Sequence, residues 1–442
     1  MSNEVLDCAE TKTTANAELK NVWLCAADWI CMRVALAFVY VLIVLSRLFK
    51  LISRRRKEKK TVFVYANDLW GDTLVKMPFF FSLRAEFPRE KYILVVVLTP
   101  DLAEMVGRLG LFDEIIEEPA LHWRHPLFWF VRRNGIAKSL RWAFINKADI
   151  MIVCHRSRSL GCDFAMRLCA PLISVAYAAD VKTPMLPMTA KYQAKMYDRR
   201  YTNLLVSEDG RHQMVDMDRL LSMATGHLVE SRKLGKRDVA PILDFALVKP
   251  GQDYIVIVPG ARVDYRRWPT ARFVEVVRRM GGNIVVVGSA EERSLAAEII
   301  RKVDGNVVNL CGKTNLSQLG GLLSQARLVI TNETGTATYA AILGVPTVCI
   351  LGGGDFGAFF PNPYCPNTVS VYHKEDCFNC GWKCPKKRDA NAVAPCIERI
   401  TVDEVMNAAG KAIAADQREK YGRELPATGL PSTGTKKSRI KG

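Results

Sequence analysis

The stretch Val329–Gly353 reads VITNETGTATYAAILGVPTVCILGG. A strand is predicted over Arg327 to Ile330. The chain then breaks into a turn of small hydroxyl residues around Gly335 and resumes as a small-residue helix. It stops at Gly344-Val345-Pro346 before a second apolar strand, Thr347 to Leu351. Such a strand, turn, helix, strand unit sets its turn at a helix N-terminus, where free backbone N–H groups and the helix dipole favour an anion. A phosphorylated ligand suits that turn; an ordinary connection capped by a threonine fits the local string equally well.

Outward from this unit the same alternation recurs. Upstream, strands are predicted at Tyr254–Val258, Asn283–Gly288 and Val307–Asn309, with helices at Thr270–Met280, Glu291–Val303 and Leu316–Ser324. An earlier series has strands at Thr61–Ala66, Lys91–Leu98, Phe112–Ile116 and Asp149–Cys154, and helices at Leu74–Glu86 and Leu102–Leu109. The run KYILVVVL is continuously apolar, as a parallel strand buried on both faces must be. Between the two series, roughly 210–250, the pattern weakens into a connecting segment. The expected architecture is α/β, with one layered domain over 61–235 and a second over 250–412. The polar segments 1–20 and 416–442 read as disordered.

At 442 residues the chain exceeds what one core usually supports. It is 49% hydrophobic and 24% charged, an ordinary globular composition, but its net charge is +17. Much of that excess sits in Arg54-Arg55-Arg56-Lys57-Glu58-Lys59-Lys60 and in the tail around Lys436, Lys437, Arg439 and Lys441. No nucleic-acid-binding motif accompanies these clusters, so a nucleic-acid partner is not expected. The first cluster follows an apolar run, Val34–Leu45, of twelve residues, short of the roughly 20 that span a bilayer. Residues 21–60 are read as a membrane-associated helix with a basic flank, spanning or interfacial, against an anionic membrane. A helix buried on the first domain is the alternative. Positive charge after the run places the remainder in the cytoplasm, at the inner face of a bacterial membrane.

The 13 cysteines are too dispersed for a disulfide scaffold. Cys377, Cys380, Cys384 and Cys396 stand apart as a candidate four-thiolate site for a structural zinc or iron. A disulfide or free buried thiols remain open on spacing alone.

Three turns fall where α/β sheets bind ligands, beyond the carboxyl ends of strands. Asn67–Thr73 follows the first strand and carries Asp72 at a helix start, as a cap or as a general base. Pro259-Gly260 follows the Tyr254 strand, with Arg266 and Arg267 nearby; guanidinium groups match a diphosphate in charge and fork geometry. Glu291 and Glu292 follow the strand ending at Gly288 and suit a ribose or base.

Taken in order, Gly71-Asp72-x5-Pro78 with Leu83-Arg84 and Pro88, Val258-Pro259-Gly260-Ala261 with Trp268-Pro269 and Phe273, Val287-Gly288-Ser289-Ala290-Glu291, and Asn332-x2-Gly335 with Gly344-x-Pro346 resemble the heptosyltransferases of glycosyltransferase family 9. The resemblance runs from about 61 to 410 and takes in Ile400–Val405. It implies a GT-B fold, two Rossmann-like domains facing a cleft, with the acceptor on the first and a nucleotide sugar on the second. It implies an inverting, metal-independent transfer in which Asp72 is the base and Arg266, with the turn at Thr334-Gly335, neutralises the departing diphosphate. ADP-heptose is the implied donor, and a lipopolysaccharide-core or lipid-linked molecule the acceptor. Relatives that glycosylate proteins carry a four-cysteine iron site, which bears on the thiol cluster. The chain departs from the lipopolysaccharide pattern of Asp-Thr-Gly and a following His by having Glu333-Thr334-Gly335 and Thr338. These departures bear on the donor sugar. A protein glycosyltransferase and a non-catalytic sugar-nucleotide-binding membrane protein are the competing readings.

Overall fold

A computed structural model describes residues 40–50, 58–118, 138–156, 158, 160–179, 194–248, 253–386 and 392–421. The segment 1–20, the apolar run before Tyr40, most of the arginine block and the tail beyond Tyr421 lie outside the described residues.

Two six-stranded parallel sheets carry the chain. The first has strands β1 (Lys60–Tyr65), β2 (Tyr92–Leu98), β3 (Glu114–Glu117), β4 (Ile150–Val153), β5 (Ile173–Tyr177) and β6 (Asn203–Leu205), in the order β3-β2-β1-β4-β5-β6. The second has β7 (Ile255–Val258), β8 (Asn283–Val286), β9 (Asn306–Asn309), β10 (Leu328–Asn332), β11 (Thr347–Ile350) and β12 (Thr368–Val371). Its order, β12-β11-β10-β7-β8-β9, is the same arrangement repeated. Val62, Phe63 and Val64 of β1, all of β4 and all of β7 are buried, because helices cover both faces. Each sheet reverses strand order beside its first strand, between β1 and β4 and between β7 and β10. Ligands of open parallel sheets bind at such switch points.

The sheets meet through two helix starts. Helix Trp70–Val75 follows β1 and helix Gly335–Ile342 follows β10. A Cβ on Gly71 would lie 2.9 Å from the Gly335 Cα, and a Cβ on Gly335 would lie 2.8 Å from the Trp70 ring. Only paired glycines allow this approach. Around it Tyr339 reaches the Met105 sulfur at 3.9 Å, and His212 Nε2 meets the Phe359 carbonyl at 2.9 Å. One hydrophobic cluster runs from Val62 and Leu74 through Leu319 to Tyr339, joining both sheets.

Two expectations are corrected. Residues 213–225, expected within a connector, form a helix, Gln213–Thr225, capped by His212 and packed on the first sheet. The tail does not begin at 416, since helix Val402–Tyr421 continues through it. The expected membrane-associated helix over 21–60 lies largely outside the described residues; among those described, no helix is long and apolar enough to cross a membrane. Residues 40–50 are helical and lie on the first domain through Ile43, Ser46 and Lys50. Ser46 Oγ donates to the Phe144 carbonyl at 2.8 Å, and Lys50 Nζ donates to those of Ala143 and Leu168 at 2.7 and 2.6 Å.

Because Gly71 meets backbone, a Gly71→Ala change must push the two domains apart. It is expected to cost about 1–3 kcal/mol in denaturant unfolding and to enlarge the radius of gyration in solution scattering. An unaltered scattering profile with unaltered stability would show that the contact does not hold the domains together.

Candidate active site

Asp72 lies in the first turn of helix Trp70–Val75 and is not its cap, which is Leu69. The side chain is therefore available to the space between the sheets. Burial raises its carboxyl to about 6; Asp68 and Asp355 add to the rise, while Lys76 and Arg266 oppose it. Residues of both domains thus act on one carboxyl group.

Beneath Asp72, at the end of β1, Asp68 is ion-paired with the buried Lys76 and lies 3.3 Å from His155 Nδ1, just beyond β4. Burial works against the Asp68 charge, but His155 and Lys76 together hold its carboxyl below the ordinary value. Burial pushes His155 down to about 4. Near neutral pH the Lys76 ammonium is therefore the cation that Asp68 faces. Neither Asp68 nor Lys76 stands out in sequence, because a single lysine eight residues from an aspartate has no periodic signature.

From the second domain, Arg266 Nη2 lies 3.4 Å from the Glu333 carbonyl and 3.7 Å from its carboxylate. Its guanidinium carbon sits 4.1 Å from the centre of the Trp382 ring. Glu333 follows β10 and is buried, and neither carboxyl oxygen has a hydrogen-bond partner among the described residues. Burial pushes its carboxyl up to about 8, with Arg266 opposing and Asp355 adding. Asp355 is a site residue the sequence reading missed. It follows the Gly352-Gly353-Gly354 run after β11 and accepts the Trp382 indole N–H at 2.8 Å. A glycine run beyond a strand end was the available signal.

The remaining expected donor contacts divide. Asn332 donates to the Pro259 and Gly260 carbonyls at 2.8 and 3.1 Å and accepts the Trp268 N–H at 2.9 Å. That fixes the Pro259-Gly260 turn beside β10. Arg267 is occupied by the Ala261 carbonyl at 2.9 Å and by Asp264, so it braces this loop. Glu292 closes a capping box with Ser289 and lies against Gly260; Glu291 is exposed. Thr334 stands at the N-cap position of helix Gly335–Ile342 without a side-chain cap bond, its hydroxyl 3.3 Å from that of Thr331. Gly335 faces Trp70 and Gly71, which makes it a packing residue in this arrangement. Thr338 is buried and lines a small cavity with Val75, Pro78 and Tyr364.

The four cysteines cluster without closing a ligand set. Burial raises the Cys396 thiol, and Cys384, Cys377 and Cys380 add to the rise, so the sulfurs share one neighbourhood. Among the described residues, however, no three His, Cys, Asp or Glu side chains are arranged to hold a metal ion. The expected zinc or iron ligand set is therefore not assembled among the described residues. Cys396 is buried in the short helix Pro395–Glu398, where its sulfur accepts the Gly353 N–H. All four thiols are free.

The model of glycosyltransferase family 9 (heptosyltransferase) matches residues 167–387, half of the chain. Lipooligosaccharide heptosyltransferase 2 of Haemophilus influenzae is 23% identical over 310 residues, covering 64% of this chain and 80% of that protein. Lipopolysaccharide heptosyltransferase 3 of Escherichia coli is 25% identical over 191 residues, covering 41% and 55%. Among solved structures, a family 9 glycosyl transferase from Veillonella parvula superposes with a TM-score of 0.59 at 17% identity, covering 81% of this chain and 99% of that one. The E. coli ADP-heptose lps heptosyltransferase II gives 0.56 at 16% identity, with the same coverage. These structures share the two-sheet, GT-B-like fold found here. With the family motifs distributed over both sheets and meeting between them, the chain belongs to glycosyltransferase family 9 and is a heptosyltransferase-like glycosyltransferase.

Proposed function

We propose that the protein transfers a sugar, with ADP-heptose as the donor, to a lipopolysaccharide-core or other lipid-linked acceptor by an inverting, metal-independent displacement. The observation that carries this reading is the meeting of Asp72 from one domain with Arg266 and Glu333 from the other. The names of the relatives supply the donor and acceptor classes.

In this mechanism the Asp72 carboxylate takes the proton of an acceptor hydroxyl. That oxygen forms a bond to the anomeric carbon as the bond from the anomeric carbon to the diphosphate breaks. One displacement inverts the configuration. The nucleoside diphosphate leaves with the electron pair, and its charge develops beside Arg266, a fixed cation able to stabilise it. A base must be ionised to work, and a carboxyl raised to about 6 remains mostly ionised at pH 7 while being a stronger base than an ordinary carboxylate.

Glu333 takes the complementary state. With its carboxyl at about 8, it carries a proton at neutral pH and presents no negative charge to an incoming diphosphate. The neutral acid both donates and accepts hydrogen bonds, which suits a sugar hydroxyl. The same shift has a stability consequence. Between the ordinary carboxylate range and pH 8 the folded chain holds a proton that the unfolded chain has released, so stability falls as pH rises through that window.

The helix over residues 40–50 supports an amphiphilic acceptor. Ser46 and Lys50 point inward to carbonyls beside the buried Ile43, while Tyr40, Val41, Val44, Leu45, Leu48 and Phe49 are exposed. The basic block Arg54–Lys60 follows within a few residues. An apolar face flanked by arginine and lysine fits the surface of an anionic bilayer, as an interfacial helix at its cytoplasmic face.

Three measurements test this reading. Asp72→Asn is expected to lower turnover about 100- to 10,000-fold with donor binding retained, and wild-type kcat/KM to fall as pH drops below about 6; an active Asp72→Asn enzyme would remove the base assignment. Wild-type donor affinity should weaken as pH rises through about 8, whereas Glu333→Gln, which mimics the protonated acid, should bind independently of pH. Equal pH slopes for the two would overturn the proton on Glu333. In sedimentation with phosphatidylglycerol vesicles, Val44→Asp with Leu48→Asp should abolish most binding. Undiminished sedimentation, or a dimer in size-exclusion chromatography that the same changes split, would assign the exposed face elsewhere.

A further inference from the structure

Arg266 is held in an unusual way. Its backbone lies in a single helical turn, Asp264–Arg266. Its Nε has no hydrogen-bond partner among the described residues, and its Nη2 reaches only the Glu333 carbonyl at 3.4 Å and the carboxylate at 3.7 Å. The close contact is with the Trp382 ring, 4.1 Å from the guanidinium carbon. A stack of this kind fixes the plane of a guanidinium without consuming its N–H donors. Nε is left without a protein partner among the described residues, and Nη2 with only its long contacts to Glu333.

Trp382 is itself fixed by a costly piece of backbone. It belongs to the cysteine-bearing loop, and it and Asn379 have φ of 61° and 64°, left-handed values that non-glycine residues rarely adopt. The Asn379 N–H donates to the Gly353 carbonyl at 2.6 Å and the Gly381 N–H to that of Gly354 at 2.9 Å, fastening the loop to the glycine run. A Cβ on Gly354 would fall 2.1 Å from the indole, and one on Gly352 2.6 Å from it. The glycines thus make room for the ring. Its N–H donates to Asp355 at 2.8 Å, which fixes the ring's rotation as well as its position. Strained backbone retained beside a reaction centre points to a functional constraint.

We propose that Trp382 is a positioning residue: the cysteine-bearing loop, fastened to Gly352–Gly354, delivers the indole onto Arg266 and holds the guanidinium open toward the departing diphosphate. The proposal rests on the reading that the donor is a nucleoside diphosphate sugar. It gives the loop a role that does not depend on a metal.

The test is calorimetric titration of the full chain with ADP and UDP, and with AMP and UMP as probes lacking the second phosphate. It compares wild type with Trp382→Leu, Trp382→Phe, Arg266→Gln and the double variant Trp382→Leu with Arg266→Gln. Trp382→Leu is expected to weaken diphosphate binding about tenfold while changing monophosphate binding less than about twofold. Trp382→Phe, which keeps a ring, should recover most of the loss. The double variant should bind no more weakly than Arg266→Gln alone, since the indole acts through the arginine. Gly354→Ala displaces the ring instead of removing it and should reproduce the same selective loss, which serves if Trp382→Leu does not fold. Equal losses for mono- and diphosphates, no loss, or full additivity in the double variant would overturn the positioning role. A wild-type protein that binds neither ADP nor UDP would overturn the nucleotide-sugar reading, and the inference with it.

Discussion

The approach of Gly71 to Gly335 is the constraint on which the site depends. Each glycine opens the helix after a central strand, β1 in one sheet and β10 in the other. Each sheet therefore offers its switch point to the same space only if these two helix starts can touch. A single methyl group on either would meet backbone or the Trp70 ring at under 3 Å. The glycines leave Asp72, one residue beyond Gly71, and Glu333, two residues before Gly335, in that shared space. The reacting groups are thus tied to the packing contact by sequence adjacency, and a displacement of the contact displaces both.

Bringing the switch points together creates an electrostatic imbalance. Asp355 and Arg266, both from the second domain, act on Asp72 and on Glu333 alike, Asp355 raising and Arg266 lowering each carboxyl. Burial is the larger cause at both carboxyls, because it penalises the charged form. Glu333, the more deeply buried of the two, is shifted further and carries a proton at neutral pH. Asp72 is placed differently because Lys76 lies on its other side. Two carboxyl groups in one cavity consequently take opposite roles at neutral pH, one a base and the other a neutral hydrogen-bonding acid, a division that environment alone imposes.

Much of this fold is legible in the sequence because parallel strands covered on both faces are continuous apolar runs, as in YILVVVL of β2 and IVIV of β7. Helix Thr270–Met280 is legible because Phe273, Val274, Val276 and Val277 fall on one face. Helix Gln213–Thr225 is not, because it has an unusual histidine cap and buries Asp216 beside Tyr177 and Arg211, so its polarity does not follow its exposure. Strands β6 and β12, at sheet edges and three and four residues long, carry too little pattern to register. Asp72, Arg266 and Glu333 are legible because each follows a recognisable strand. Asp355 and Trp382 act through a loop that the chain reaches only after folding, and no periodicity marks them. The thiols lie close in sequence and in space, yet the described loop geometry does not assemble them into a ligand set.

The Asp68–Lys76 pair shows why the least visible residues still shape the chemistry. Burying an ion pair seldom adds net stability, because desolvation offsets most of the attraction. Here the pair sits directly below Asp72, with the neutral His155 beside it. Without Lys76, two adjacent aspartates would share one low-dielectric space, and the carboxyl of at least one would stay protonated near neutral pH. Without Asp68, the ammonium would draw Asp72 down toward an ordinary carboxylate and weaken it as a base. The retained pair holds Asp72 between these limits: charged enough to accept a proton, yet basic enough to take it from a hydroxyl.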